Sequence, residues 1–247
     1  MKIIIVGLGK VGQTLAVELS KEDNDITVID NRESVVQDFA SQYDIMGVIG
    51  NGSSYSTQME AGIEAADLLI AVTGSDELNL LCCLIAKKAG NCHTIARVRT
   101  PEYSSELNFI KEELGLAMVI NPEMAAADEI ARVLKFPSAI DVDTFSKSRV
   151  DLLKFRVLEH SVLDEMRISD ITSKTKGNIL ICAVERGEQL IIPNGDTVLK
   201  ARDRISIVGA SEEANDFFRQ VGIVTNQVKN IMIAGGGTIA YYLAKML

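Results

Sequence analysis

Short apolar runs rich in Ile, Val and Leu recur along the first half of the chain, and segments with apolar residues at helical spacing separate them. Runs of this kind are typical of parallel strands that are buried on both faces of a sheet. The six runs lie at residues 3–6, 24–30, 46–49, 67–73, 94–100 and 118–122. Because strand and helix alternate, the pattern predicts an α/β fold with a doubly wound parallel sheet over residues 1–135.

The first run leads directly into Gly7, Gly9 and Gly12, which have G-x-G-x-x-G spacing and open a helical segment. In such a turn Gly7 allows the tight bend, Gly9 lets the backbone approach a pyrophosphate, and Gly12 lets the helix pack on the strand. The second run ends in Asp30, where a Rossmann fold places the carboxylate that binds adenosine ribose hydroxyls. Asp30 could alternatively cap the helix that starts near Arg32. The combination predicts a nucleotide site.

Polar loops follow the third and fourth runs, at the edge of the sheet where open α/β folds bind ligands. Asn51 and Ser53 could reach an adenine or a ribose, and a plain turn explains them equally well. The loop at residues 73–77 should face the pyrophosphate or the second ribose, because the strand order reverses beside its strand. Ser75 or Asp76 should also cap the next helix.

Two arginines, Arg97 and Arg99, alternate with apolar residues in the fifth run and should leave the strand on one face. A structural ion pair is one interpretation of these side chains. A phosphate contact or a contact between subunits is the other, since the guanidinium fork fits phosphate oxygens.

The pattern changes in the second half of the chain. A polar segment without clear periodicity at residues 136–149 is interpreted as a connector. A second, smaller α+β domain is predicted over residues 150–225, because shorter strands there alternate with turn residues. Its strands and closing helix are expected at residues 152–158, 178–185, 189–192, 203–208 and 212–221. No catalytic constellation is visible in the sequence of this domain.

The opening pattern returns over residues 228–247, where an apolar run precedes Gly235, Gly237 and, in the third position, Ala240. We expect this segment to be the start of a second Rossmann repeat in a longer natural protein. A lone strand leaves its backbone unpaired, so the segment should pack against a neighbouring copy or onto the first domain. The side chains expected to be buried there are Ile231, Ile233 and Leu243, with Ile239 as a weaker candidate.

Composition argues against several classes of protein. The net charge of −9 disfavours nucleic-acid binding, which needs a basic surface. No apolar run approaches the roughly 20 residues of a membrane-spanning helix and no signal peptide is visible, so we expect a cytoplasmic protein. The four cysteines form no C-x-x-C pair, and His93 and His160 have no partner at metal-ligand spacing. We expect reduced, buried thiols and no metal site.

Taken together, these motifs resemble the RCK (or KTN) domains of the TrkA family. The motifs that carry the resemblance are residues 7–12 with Asp30, 50–53, 71–77 and 96–99. Members of this family are cytoplasmic regulatory subunits of bacterial and archaeal Trk potassium uptake systems, and their RCK domains bind NAD(H) and adenine nucleotides. The resemblance implies an N-terminal RCK domain over residues 1–135, a C-terminal (TrkA-C) domain over 150–225, and the start of a second repeat at 228.

The resemblance also implies roles for individual residues. The glycine turn would lie on the pyrophosphate, Asp30 on a ribose, and Thr73 and Gly74 across the crevice. The expected binding residues are Gly7, Leu8, Gly9, Lys10, Val11, Gly12, Asp30, Asn51, Thr73, Gly74 and Arg97. The implied ligand is NAD(H), and ATP or ADP could bind through the same adenosine half. The motif tolerates alanine in its third position, so Ala240 does not weaken the resemblance.

The implied partner is a potassium-translocating membrane subunit of the Trk type, which a homo-oligomer of this protein would gate from the inner face of the membrane.

The alternative function is an NAD-dependent oxidoreductase, which needs a proton-transfer residue over the nicotinamide. His93 precedes the fifth strand at its far end, and His160 lies in the small domain. Tyr241 and Lys245 have the spacing of a Tyr-x-x-x-Lys pair, but they lie in the incomplete repeat. A regulatory sensor needs no such residue and is preferred.

Asp30 should favour NAD(H) over NADP(H), because a carboxylate accepts bonds from ribose hydroxyls and repels a 2′-phosphate. Arg32, two residues further on, could weaken that repulsion, so the expected preference is modest. Comparison of the NADH and NADPH affinities tests this expectation.

Overall fold

The computed structural model describes residues 1–135, 141–145, 150–174, 179–221, 228 and 230–247. The chain divides into two compact units, which are Met1–Ala127 with Gly236–Lys245, and Asp128–Gly235 with Met246–Leu247. The domain boundaries expected from the sequence stay predictions. No helix in the described part of the chain has the length and apolar character that a membrane span requires.

The first unit contains a six-stranded sheet in which each strand runs parallel to its neighbours. Its strands are β1 (Lys2–Val6), β2 (Asp25–Asp30), β3 (Met46–Ile49), β4 (Leu68–Ala71), β5 (His93–Arg97) and β6 (Met118–Ile120). The order is β3-β2-β1-β4-β5-β6, so it reverses between β1 and β4. The doubly wound Rossmann arrangement predicted from the apolar runs is confirmed, and its crevice lies at the carboxyl ends of β1 and β4.

Helices are packed on both faces of this sheet. They are α1 (Lys10–Ser20), α2 (Glu33–Tyr43), α3 (Tyr55–Glu60), α4 (Asp76–Ala89) and α5 (Leu107–Glu113). α6 (Pro122–Lys135) follows β6 and continues into the second unit. Because side chains alternate along a strand, Ile4 packs into one core cluster with Cys82 of α4, whereas Ile5 packs into the other. The sequence analysis missed α3 and α5, since helices of six and seven residues show little periodicity.

The cysteines take part in packing. Cys82, Cys83 and Cys92 are buried and Cys182 is half-buried, and none of the four forms a disulfide. Burial raises the pKa of Cys82 to about 12, so its thiol stays protonated at neutral pH and is a poor nucleophile. No group of three or more His, Cys, Asp or Glu side chains that could hold a metal ion occurs within the described residues.

The second unit is built on a five-stranded antiparallel sheet. Its strands are β7 (Asp141–Phe145), β8 (Val150–Arg156), β9 (Leu180–Arg186), β10 (Gln189–Ile191) and β11 (Arg204–Gly209), in the order β10-β9-β11-β8-β7. The helices α7 (Ile168–Lys174) and α8 (Ser211–Gln220) accompany them. In the core, the rings of Phe155 and Phe218 meet edge-on with centroids 5.1 Å apart. The smaller α+β architecture is therefore confirmed.

One strand lies where the sequence analysis placed a connector. β7 pairs antiparallel with β8 over Asp141–Phe145, inside the segment 136–149 that was interpreted as irregular. A strand at the edge of a sheet pairs on one side only and can be short and polar. This segment therefore lacks the apolar run by which the other strands were recognised.

The chain ends in α9 (Thr238–Met246), which lies largely in the first unit. Tyr242 and Leu243 are buried there, with exposed fractions of 4% and 6%. The Tyr242 hydroxyl donates to the Arg99 carbonyl oxygen at 2.9 Å and accepts from Asn121 Nδ2 at 3.0 Å. α9 is thus docked on the first unit, which was one of the two placements expected, and the predicted burial of Leu243 is confirmed.

The apolar run before α9 behaves differently. Residues 230–234, all of them described, form no strand, and Ile231 and Ile233 remain 40% and 37% exposed. The prediction that these two side chains are buried is wrong. A helix satisfies its own backbone and needs only one apolar face covered, whereas a strand needs a neighbouring strand. The turn itself does repeat the first motif, since Gly235 has φ +107° and Gly7 has φ +100°.

Candidate functional site

A cavity of about 430 Å³ opens at the carboxyl edge of the parallel sheet, where the strand order reverses. It is lined by Val6, Gly7, Gly9, Ile29, Asp30, Asn31, Arg32, Gly50, Asn51, Gly52, Val72, Thr73, Gly74, Ser75, Leu78 and Arg97. Its volume lies within the roughly 300–1,000 Å³ that is usual for small-molecule and cofactor sites. Open α/β sheets bind their ligands at this position.

The structure brings most of the predicted binding residues together. Those that line the cavity are Gly7, Gly9, Asp30, Asn51, Thr73, Gly74 and Arg97. Leu8 and Gly12 are buried beneath the turn, Lys10 is exposed at the start of α1, and Val11 is half-buried. Asn31 and Leu78 also line the cavity and were not expected there from the sequence.

The glycine turn is shaped by two close approaches of backbone. Gly7 has φ +100°, and a Cβ on it would lie 3.0 Å from the Thr73 backbone. A Cβ on Gly12 would lie 1.8 Å from the carbonyl oxygen of Gly7, so α1 can follow β1 this closely only with glycine there. Gly9 is the N-cap residue of α1, a Cβ on it would meet nothing within 4 Å, and it supplies no side-chain hydrogen bond to cap the helix. The first-turn N–H groups of α1 are therefore open to an anion.

Asp30 ends β2 with its carboxylate fully bonded. Its Oδ2 accepts from the Leu8 N–H at 2.7 Å and from Arg32 Nη2 at 2.8 Å. Its Oδ1 accepts from the Arg32 N–H at 3.0 Å and from Arg32 Nε at 2.8 Å. Burial raises the pKa of this carboxyl, but the Arg32 guanidinium and the two N–H groups outweigh burial and lower the pKa from 3.8 to about 2. Asp30 is ionised at any physiological pH.

Asp30 is not the N-cap residue of α2, although it was considered for that role. α2 starts at Glu33, with Arg32 as its N-cap residue. Asp30 therefore accepts from the N–H of the residue that precedes the helix, and it also accepts from the Leu8 N–H of the glycine turn after the neighbouring strand β1.

Asn79 of α4 holds the far side of the cavity and was missed by the sequence analysis. It is fully buried, and its Oδ1 accepts from the N–H and the hydroxyl of Thr73 at 2.8 and 2.7 Å. Its Nδ2 donates to the Arg97 carbonyl oxygen at 2.9 Å. One amide thus fixes the carboxyl ends of β4 and β5. A polar residue on the apolar face of a helix was the only signal in the sequence.

The loop after β3 is held by a second buried amide. Gln58 of α3 donates to the carbonyl oxygens of Gly52 at 2.7 Å and Cys82 at 3.0 Å. Asn51 lines the cavity, and its Oδ1 accepts from the N–H of Ser53 at 3.0 Å and from its hydroxyl at 2.9 Å. Asn51 thus shapes a turn and also borders the cavity, and its contact with an adenine or a ribose stays a prediction.

The two arginines have different surroundings. Arg97 ends β5, lines the cavity and forms an ion pair with Glu123, which agrees with the structural interpretation. Arg99 lies beyond β5, although the sequence analysis placed it within the strand. The strand ends before Arg99 because the Arg99 N–H donates to Asp76 Oδ2 of α4 at 3.0 Å and is not available to a neighbouring strand. The Arg99 side chain donates through Nη2 to the Gly74 carbonyl oxygen at 2.6 Å.

The loop between β4 and α4 supplies the N-cap of α4, as expected. The Ser75 hydroxyl accepts from the Leu78 N–H at 3.2 Å and is the N-cap of α4. Asp76 instead accepts from the backbone of the loop after β5, including the Thr100 N–H at 2.8 Å. The wall formed by Thr73, Gly74 and Ser75 is therefore tied into the fold at several points.

Comparison with known protein families divides the chain in the same two parts. Residues 3–122 match the TrkA-N domain and residues 152–222 match the TrkA-C domain. The chain is 37% identical over 248 residues to a Trk system potassium uptake protein TrkA homolog of Archaeoglobus fulgidus, covering 100% of this chain and 55% of the relative. It is 34% identical over 251 residues to the Trk system potassium uptake protein TrkA of Haemophilus influenzae, with the same coverage of each.

Solved structures share the fold. The GsuK channel bound to NAD superposes with a TM-score of 0.64 at 18% identity, over 99% of this chain and 43% of that chain. The GsuK RCK domain superposes with a TM-score of 0.61 at 18% identity, over 99% of this chain and 52% of that chain. The present chain spans about half the length of the curated relatives it matches. With a TrkA-N domain followed by a TrkA-C domain, the chain belongs to the TrkA family.

Proposed function

We propose that this chain is the nucleotide-sensing part of a regulatory subunit in a potassium uptake system. It binds NAD(H), or an adenine nucleotide, in the crevice cavity and passes the occupancy of that cavity to a potassium-translocating membrane partner. The observation that carries the proposal is the cavity itself, which joins an open glycine turn to an ionised carboxylate at the switch point of a Rossmann sheet. The names of the relatives support the link to potassium, and the GsuK channel bound to NAD supports the ligand class.

Each wall of the cavity has a role in this proposal. The backbone of Gly7 and Gly9 and the amino end of α1 bind the pyrophosphate, because N–H groups and the helix dipole favour an anion there. Asp30 binds the ribose of the adenosine half. The loop of Thr73 and Gly74, braced by Asn79, borders the other half of the ligand. Arg97 already has Glu123 as a counter-ion, so it contributes little net charge to the phosphates.

Binding without turnover is part of the proposal. His93 begins β5 and so lies at the opposite end of that strand from the cavity. Tyr241 and Lys245 lie in α9 and are not among the residues that line the cavity. NADH incubated with the chain and a panel of carbonyl compounds should therefore keep its nicotinamide absorbance. Sustained oxidation by any of these compounds would favour the oxidoreductase alternative.

The partner and the assembly are proposed on the same basis. A chain with a net charge of −9 suits the Lys- and Arg-rich cytoplasmic loops of a membrane protein, at the inner face of the membrane. We expect a symmetric homo-oligomer, because most soluble assemblies of identical chains are symmetric. Light scattering of the natural protein at micromolar concentration should show more than one copy, and a monomer would contradict the proposal.

Calorimetric titration with NADH tests the ligand directly. The full chain should bind one NADH per subunit, and Asp30→Ala should weaken binding by about 1–3 kcal/mol, as expected for bonds to a charged group. Asp196→Ala is the matched control, since Asp196 is an 89% exposed carboxylate outside the cavity. Equal affinities for wild type and Asp30→Ala would show that the ligand does not use this crevice.

A further inference from the structure

Asp30 has no acceptor position left for a ribose. A carboxylate offers about four lone-pair positions, two on each oxygen. The Leu8 N–H and Arg32 Nη2 use those of Oδ2, and the Arg32 N–H and Arg32 Nε use those of Oδ1. Ribose hydroxyls that donate to this carboxylate must therefore displace an existing donor.

The guanidinium of Arg32 is the donor that can leave. The N–H groups of Leu8 and Arg32 belong to the backbone of the glycine turn and of the residue before α2, so they move only with the fold. The Arg32 side chain is 54% exposed and borders the cavity, whereas the Asp30 side chain is 6% exposed. Rotation of Arg32 into water frees one acceptor position on each oxygen, which matches the two hydroxyls of a ribose.

We propose that Arg32 is the specificity-determining residue of this cavity, a latch that occupies the ribose position on Asp30 and selects among nucleotides by the group at the ribose 2′ carbon. This inference rests on the proposed function and deepens it. A ligand with a free 2′,3′-diol must replace the guanidinium on Asp30. A ligand with a 2′-phosphate meets the same guanidinium as a counter-ion, because the latch lies at the carboxylate that the 2′ oxygen faces.

The latch predicts opposite effects on two ligands. In Arg32→Gln the competing guanidinium is gone, so the affinity for NADH should rise about fivefold. The same variant loses the counter-ion for a 2′-phosphate and leaves Asp30 to repel it, so the affinity for NADPH should fall about tenfold. The ratio of the two affinities should therefore widen about fiftyfold, while wild type discriminates only modestly.

The experiment is calorimetric titration of the full chain with NADH and with NADPH, for wild type, Arg32→Gln and a control. Arg219→Gln is the matched control, because Arg219 is 67% exposed and pairs with Asp216 at 2.7 Å outside the cavity. It should leave both affinities within twofold of wild type. Arg32→Lys keeps the positive charge but lacks the bidentate guanidinium that occupies both oxygens of Asp30. It should therefore hold the NADPH affinity near that of wild type and bind NADH more tightly than wild type does.

Each outcome decides between interpretations. If Arg32→Gln weakens NADH and NADPH in parallel, Arg32 only supports the shape of the crevice and the latch is refuted. An unchanged ratio of affinities refutes it as well, while binding of NADH by wild type upholds the proposed function. If neither wild type nor Arg32→Gln binds either dinucleotide, the latch is refuted and so is the assignment of NAD(H) as the ligand of the cavity. Urea unfolding of each variant verifies that the compared proteins are folded.

Discussion

Replacement of Asp30 by asparagine should destabilise the fold by an amount that depends on pH. Asparagine has nearly the same shape, but its amide nitrogen cannot accept bonds, so one side of the group would face donors of Leu8 or Arg32 without an acceptor. The perturbation therefore removes charge-assisted hydrogen bonds and leaves the packing around β2 in place.

The magnitude follows from the carboxyl itself. Its pKa is lowered from 3.8 to about 2 in the folded chain, although burial alone would raise it. At about 1.4 kcal/mol per pKa unit, ionised Asp30 stabilises the folded state by roughly 2 kcal/mol at neutral pH. Because the folded pKa lies below the unfolded one, this stabilisation is complete above about pH 5 and is lost as the pH falls towards about 2.

Urea unfolding of wild type and Asp30→Asn at several pH values measures the effect. The difference in unfolding free energy should be about 2 kcal/mol at pH 7 and should shrink steadily below about pH 4. Asp196→Asn, at an 89% exposed side chain, should differ from wild type by less than about 0.5 kcal/mol throughout. A difference for Asp30→Asn that is near zero at pH 7, or that stays constant with pH, would refute the reasoning.

Three further substitutions test other parts of the account. Gly12→Ala should lower the unfolding free energy by about 1–3 kcal/mol in urea, because its Cβ would lie 1.8 Å from the Gly7 carbonyl oxygen. Asn79→Ala should cost about 2–3 kcal/mol in the same assay, since buried groups of β4 and β5 lose their partners, and should weaken NADH binding. Tyr242→Phe should reduce hydrogen-exchange protection in α9 by about 1–2 kcal/mol, whereas Tyr241→Phe, at a 52% exposed position, should not.

The features that sequence predicted well are those carried by neighbouring residues. The apolar run of β1, the turn from Gly7 to Gly12 and the acid at the end of β2 lie within one β-α-β unit, where local spacing determines position. Repetition of the strand and helix pattern was sufficient to predict the parallel sheet and its switch point. The crevice and most of its wall followed from that topology.

The features that sequence missed depend on side chains that meet only in the folded chain. Asn79 contacts Arg97 across 18 residues of sequence, and Arg97 pairs with Glu123 across 26. The bonds from Arg32 to Asp30 depend on the rotamer of an exposed side chain, which no spacing rule determines. In the tail the error went the other way, since the sequence predicted a buried strand at residues 230–234 and the structure has none there. An apolar run forms a strand only where a partner strand is available.

The central claim is that a dinucleotide binds in the cavity that the glycine turn and Asp30 line together at the carboxyl edge of the sheet. A crystal structure of the chain grown with saturating NADH tests it most directly. The account predicts density for the pyrophosphate against Gly7 and Gly9, a ribose diol on the Asp30 carboxylate, and the Arg32 side chain turned away from it. An empty crevice at saturating NADH, or NADH bound elsewhere on the chain, would contradict the account.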